Sequence, residues 1–131
     1  MSVDVVPARR MDLRDRAQVH DAVVAFYREI VFDDLLEPLF GEVAEVDWAE
    51  HIPKLIDYWC RVLFGDVDYA GFVLDAHRRV HALEPFTAEH FERWLALWER
   101  TIDASWSGPF ADQAKRHARR IAAVLARQLP G

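Results

Sequence analysis

The chain has 131 residues, of which 52% are hydrophobic and 29% charged, a balance that suits one globular domain with one core and excludes disordered or fibrous classes. Its formal net charge of −6 argues against nucleic acid or an anionic membrane as a partner, since both require a basic stripe. The basic clusters Arg9-Arg10, Arg78-Arg79 and Lys115 to Arg120 are short and interleaved with acidic or apolar residues, as on a solvated helix face.

Residues 1–12 carry Pro7 and mixed charges without helical period, and read as a flexible N-terminal tail ahead of a single domain over 13–131. They lack the apolar run of a signal peptide, and no segment has the roughly 20 apolar residues of a membrane span, so a cytoplasmic protein is expected. Apolar residues at Val19, Val23, Phe26, Tyr27, Ile30 and Val31 predict a first helix from Asp15 to about Val31. The segment 35-LLEPLFG-41, broken by Pro38, predicts only a turn or two.

A second helix is expected in 47-DWAEHIPKLIDYWCRVLFG-65, with His51, Leu55, Tyr58, Trp59, Val62 and Leu63 on one face. Pro53 implies that it begins anew near His51 or kinks there. Cys60 is the one cysteine, which rules out an intramolecular disulfide and reads as a small apolar residue. Beyond Gly65 a helical stretch runs from about Phe72 to Ala82 and stops at Glu84-Pro85. Thr87 is an N-cap candidate for a helix bearing Phe91, Trp94, Leu95, Trp98 and Ile102 on one face, with Glu89 in its first turn. After the break 105-SWSGPF-110, Pro109 opens a last helix whose inner stripe is Ala114, Ala118, Ile121, Leu125 and Gln128. No β pattern or internal repeat appears, so the fold class is all-α, with five or six packed helices.

Six histidines and five tryptophans are the informative excess. Buried Trp and Tyr need partners for their polar tips, so a pocket ringed by Tyr27, Trp94 and His51 calls for something polar within it. His77 and His81, four residues apart, share one helix face. A zinc protease would place glutamate after the first histidine, whereas Arg78, Arg79 and Val80 lie between these two. The cationic pair suits a macrocycle carrying carboxylates, held by one axial histidine, better than a bare dication.

Taken together these residues resemble the truncated haemoglobins, most closely group III. In that family a Phe-Tyr pair, a corner phenylalanine, a distal histidine, a proximal histidine and a later tryptophan follow in order. Here Phe26-Tyr27, Phe40 in 36-LEPLF-40, His51, the segment 77-HRRVH-81 and Trp94 stand in those places, and the resemblance runs from about residue 16 to residue 126. It implies a truncated globin fold, a helical sandwich around haem b. It implies reversible binding of O2, NO or CO, and reaction with the bound ligand, such as nitric oxide dioxygenation or peroxide chemistry, at least as readily as transport. A reductase partner would go with that chemistry.

The resemblance also assigns roles. Tyr27, Trp94 and His51 would stabilise the ligand on the distal side, with His51 able to gate the pocket. Phe26, Phe40 and Leu55 would pack on the haem, and Lys54, Arg78 and Arg79 would face its propionates. For the axial ligand two histidines stay open. The family's proximal histidine precedes the tryptophan by about thirteen or fourteen residues across a short rigid corner, whereas loops absorb insertions. His81 lies 13 residues before Trp94 and His77 lies 17, which favours His81; the interval from His51 favours His77. His81 would donate its other ring N–H to the backbone carbonyl of His77. His20, His90 and His117 read as structural or exposed. Two rival readings remain: a haem-free helical sensor or interaction domain, and a non-haem metal site of His77, His81 and Asp75 or Glu84.

Overall fold

Asp15 begins the ordered helices by capping: its side chain accepts from the Gln18 amide at 3.0 Å, and helix α1 follows over Arg16–Ile30. The computed structural model describes residues 10–39, 48–65 and 87–128, and four long helices carry the chain through them. The inner face of α1 is Val19, Ala22, Val23, Phe26, Tyr27 and Ile30, as the three-to-four spacing predicts. Val31, expected on that face, is instead the C-cap and is exposed, because the turn after Ile30 carries it away from the core.

The turn at 33–39 is organised by Asp33. Its Oδ1 accepts from the amides of Leu35 and Leu36, each at 3.0 Å, and its Oδ2 from the Arg93 guanidinium at 2.7 Å. Burial alone pushes this carboxyl up; the bonds from Arg93, Leu36 and Leu35 more than reverse that and hold it below the usual carboxylate range. The native state therefore keeps Asp33 deprotonated where the unfolded chain binds a proton. Its contribution to stability is complete above the ordinary value of about 4 and is lost as pH falls through the lowered native value. Asp33→Asn should flatten the acid limb of a stability profile measured by denaturant unfolding between pH 7 and pH 3 (roughly the carboxylate range).

Helix α2 spans Trp48–Phe64 and buries Ile56, Trp59, Val62 and Leu63. Pro53 lies inside it and neither restarts nor delays the helix, which begins at Trp48, before His51. As the sixth residue of the helix this proline removes one amide donor from the intrahelical ladder, a cost borne by the packing of the buried face of α2. Helix α3 spans Ala88–Ser105 behind the expected Thr87 cap. His90 completes a capping box: its amide donates to Thr87 Oγ1 at 3.3 Å and its Nδ1 accepts the Thr87 amide at 2.9 Å.

At the next corner the chain folds back onto its own beginning. Met11 bridges Trp106, the Ser107 amide donates to the Met11 carbonyl at 2.9 Å, and the Trp106 indole donates to Gln18 Oε1 at 2.8 Å. Helix α4, Pro109–Gln128, is capped from a distance by Asp12, which accepts from the amides of Phe110 at 3.0 Å and Ala111 at 2.8 Å. Gly108, at φ 130°, permits this approach: a Cβ there would lie 2.6 Å from Asp12 Cγ. Gly108→Ala should lower stability by about 1–3 kcal/mol through backbone strain and a displaced cap, read as a drop in thermal unfolding midpoint.

The alanine stripe of α4, Ala114 and Ala118 with Ala111, is buried, and Trp98 uses that closeness to donate its indole N–H to the Ala114 carbonyl at 3.2 Å. Each helix packs on two others, α1 on α2 and α3, and α4 on the same pair, which makes a helical sandwich with Phe26, Trp98 and Ile102 at its centre. The helix expected at Phe72–Ala82 lies outside the described residues, so four of the predicted five or six are seen. Among the described residues no helix is long and apolar enough to cross a membrane. The basic cluster of α4 is engaged in ion pairs, Lys115 with Asp103 and Arg119 with Glu99, both at 2.7 Å.

Candidate functional site

Adjacent residues on a helix point about 100° apart, so Phe26 and Tyr27 reach largely different neighbours, with Trp94 common to both. Phe26 is fully buried and lies edge-on to Trp98 at 5.0 Å and Trp94 at 6.0 Å between centroids. Tyr27, buried beside it, turns toward the start of α2 and meets Trp48 at 5.2 Å and His51 at 6.0 Å. Trp48 and His51 in turn contact each other at 5.7 Å. Tyr27, Trp94 and His51, from three helices, are thereby brought to one aromatic pocket.

The polar atoms in that pocket are organised. Burial raises the Tyr27 phenol far above its ordinary value, and a hydrogen bond with Trp94 only partly offsets this. An indole donates and never accepts, so Trp94 is the donor and Tyr27 Oη the acceptor. The phenol thus stays protonated at any physiological pH, and a hydroxyl accepting from Trp94 retains its own proton as a donor. The result is an aromatic cluster in which a hydroxyl, an indole and an imidazole are grouped together, chemistry suited to a small ligand of partial negative charge.

Leu55 packs against the core, half-buried, one turn beyond His51. Lys54 is exposed and pairs with Glu50 at 3.2 Å. Phe40, His77, Arg78, Arg79 and His81 lie outside the described residues, and with them both candidate axial ligands. Among the described residues no group of three or more His, Cys, Asp or Glu is arranged to hold a metal ion. Cys60 is half-buried; burial pushes its thiol up, in keeping with a residue that packs and does not ligate.

Sequence reasoning missed two features. Trp48 forms part of the pocket wall, and its signal was an aromatic three residues before His51, the spacing of one helix turn. His117, buried on α4, bonds Tyr58 on α2 at 2.6 Å, a pairing across 59 positions that no local pattern reveals.

No protein-family model matches the chain. A group 3 truncated hemoglobin of Campylobacter jejuni is 31% identical over 100 residues, 74% of this chain and 76% of the relative. The chain belongs to the group III truncated haemoglobins. The crystal structure of a group III truncated hemoglobin from Campylobacter jejuni superposes with a TM-score of 0.77 at 27% identity, covering 92% of this chain and 95% of that one. The helical sandwich is accordingly a truncated globin fold, and a haem cofactor follows from membership of the family. The pocket of Tyr27, Trp94, Trp48 and His51 fits the ligand side of such a group: its polar atoms are hydrogen-bond donors inside an aromatic wall, with no described carboxylate among them.

Proposed function

We propose that this truncated haemoglobin holds haem b in one domain over residues 13–131 and binds O2, NO or CO there. His81, with His77 as the alternative, is the axial ligand. Bound haem supplies the iron on which a diatomic ligand sits. Phe26, Phe40 and Leu55 pack against its face, and Lys54, Arg78 and Arg79 face its propionates. The observation that carries this reading is the grouping of the Tyr27, Trp48 and His51 rings within 6.0 Å of one another, with Trp94 adjoining through Phe26. His51, beside Tyr27 at the start of α2, stands where it can gate entry.

Several donors facing one ligand slow its escape, which favours reaction with the bound ligand, nitric oxide dioxygenation or peroxide reduction, over delivery. A reductase that keeps the iron ferrous completes the reading, and the lone Cys60 is in keeping with a cytoplasmic setting. The test is the absorption spectrum of the protein purified with haem. A Soret band that shifts when CO is added supports the function, and its absence returns the chain to the haem-free helical domain.

On the same material Tyr27→Phe should speed oxygen release. A hydrogen bond of about 1–3 kcal/mol corresponds to roughly 5- to 150-fold. The lower part of that range is expected, because removing the phenol releases the Trp94 N–H to take its place. Stopped-flow displacement of oxygen by CO measures it, and an unchanged rate would remove Tyr27 from the ligand's contacts.

A further inference from the structure

The aromatic rings do not stop at the pocket. Phe26 links it to Trp98, which stacks on Trp59 with centroids 4.7 Å apart and planes inclined by 20°. Trp59 meets Tyr58 edge-on at 5.5 Å and His117 at 5.5 Å, and Tyr58 Oη lies 2.6 Å from His117 Nε2. His117 Nδ1 also faces Arg120 Nη2 at 3.4 Å. Arginine only donates, so the Arg120 contact asks for an acceptor at Nδ1, whereas the Tyr58 hydroxyl can either donate to Nε2 or accept from it. The 2.6 Å distance lies below the usual N–H···O range and within that of an O–H donor, so the Tyr58 O–H donates to Nε2 and the ring proton sits on Nδ1.

We propose that Tyr58 is a redox-active tyrosine at the end of a one-electron path, running from the haem pocket through Trp98 and Trp59, and that its phenolic proton passes to His117. The inference rests on the haem reading above, since its oxidant is a peroxide reduced in that pocket. Two contrasts in hydrogen bonding give the path its direction. The Trp98 indole N–H is held by the Ala114 carbonyl, a very weak base that cannot take a proton, so an oxidised Trp98 keeps its proton and refills by drawing an electron onward from Trp59. The Tyr58 O–H faces an imidazole, a base within proton-transfer reach, so electron and proton leave together and the oxidation comes to rest there.

The balance is complete. Hydrogen peroxide takes two electrons and two protons, its O–O bond breaks, and two waters leave. Each electron originates at Tyr58, which becomes a neutral phenoxyl beside a His117 imidazolium. A small one-electron donor at this half-buried edge, a phenol or ascorbate, returns the electron, the His117 proton goes back to the phenoxyl oxygen, and the donor's proton enters solvent. Arg120 beside Nδ1 disfavours a lasting imidazolium and so speeds that return.

The haem-loaded protein, mixed with hydrogen peroxide and freeze-quenched, should give a tyrosyl signal in electron paramagnetic resonance. Tyr58→Phe should abolish it, Trp59→Leu should suppress it, and His117→Gln, which keeps a polar partner but no base, should delay its appearance. A nitroso spin trap should add to the peptide that contains Tyr58. A signal that survives Tyr58→Phe, resting on Tyr27 or Tyr69, or that is indifferent to Trp59→Leu, would overturn the proposal. Flash-quench oxidation by an external ruthenium polypyridyl complex needs no haem and separates the two readings. With no Soret band the haem reading fails, yet the ruthenium-driven oxidation should still move from tryptophan to Tyr58; if it stops at tryptophan, the path itself is refuted.

Discussion

His81→Gly should abolish axial coordination of the haem, and added imidazole should restore it, whereas His77→Gly should leave the coordinated spectrum intact. The reason is geometric. An axial ligand must be aimed by a rigid element, and 13 residues separate His81 from Trp94, which stands in α3 edge-on to Phe26. The Thr87–His90 capping box fixes the start of that helix. An insertion between α2 and the predicted Phe72–Ala82 helix is absorbed in a loop; one in the corner would swing the imidazole away. In that helix the His81 N–H would be supported by the His77 carbonyl, which a glycine also provides. His77→Gly then costs only about 1 kcal/mol of helix propensity. Optical and magnetic circular dichroism spectra of the two variants, with and without imidazole, decide between them; loss of coordination in His77→Gly alone would exchange the assignment.

Trp98→Ala should destabilise the fold by about 3–5 kcal/mol, a large part of the roughly 5–15 kcal/mol that holds a domain together. Trp98 is 1% exposed, stacks on Trp59, takes the edge of Phe26 and donates to the Ala114 carbonyl. Truncation leaves a cavity between α1, α2 and α3 and removes the indole bond to α4, both of which cost free energy. Trp98→Phe retains most of the packing and loses mainly the hydrogen bond, so a smaller loss of about 1–2 kcal/mol is expected. Urea unfolding of the haem-free protein measures the difference without the stabilisation that a bound ligand adds. Equal losses in the two variants would mean that the hydrogen bond, and not the ring, anchors α3 to α4.

The elements differ in how far local chemistry reveals them. Asp15, Thr87 and Pro109 mark helix starts through caps and a fixed φ, and the structure begins α1, α3 and α4 at or beside them. Pro53 does not mark the start of α2, which runs from Trp48 through it, because burial of one helix face outweighs the loss of a single backbone donor. In the pocket, Phe26, Tyr27, His51 and Trp94 were legible as an ordered set, because a family constrains residues that must surround one ligand. Trp48 was passed over, although helical spacing places it beside His51. Asp12 over α4, Asp33 with Arg93, and Tyr58 with His117 are joined by 98, 60 and 59 positions, and no periodicity reaches so far.

By itself the sequence determined the all-α class, the amphipathic faces of four helices, the family, and a histidine segment at 77–81 from which the axial ligand is proposed. These rest on short-range rules: apolar spacing of three and four, capping chemistry, and motifs read in order. Only the tertiary structure decided which donors meet. It brought the Trp94 indole to the Tyr27 hydroxyl, closed the α4 terminus with Asp12, and set His117 against Tyr58 beside the tryptophan stack. The physical reason is that hydrogen-bond energy falls away within tenths of an ångström, whereas hydrophobic patterning tolerates several. Faces can be read from spacing, but partners are chosen by the packing of helices against one another.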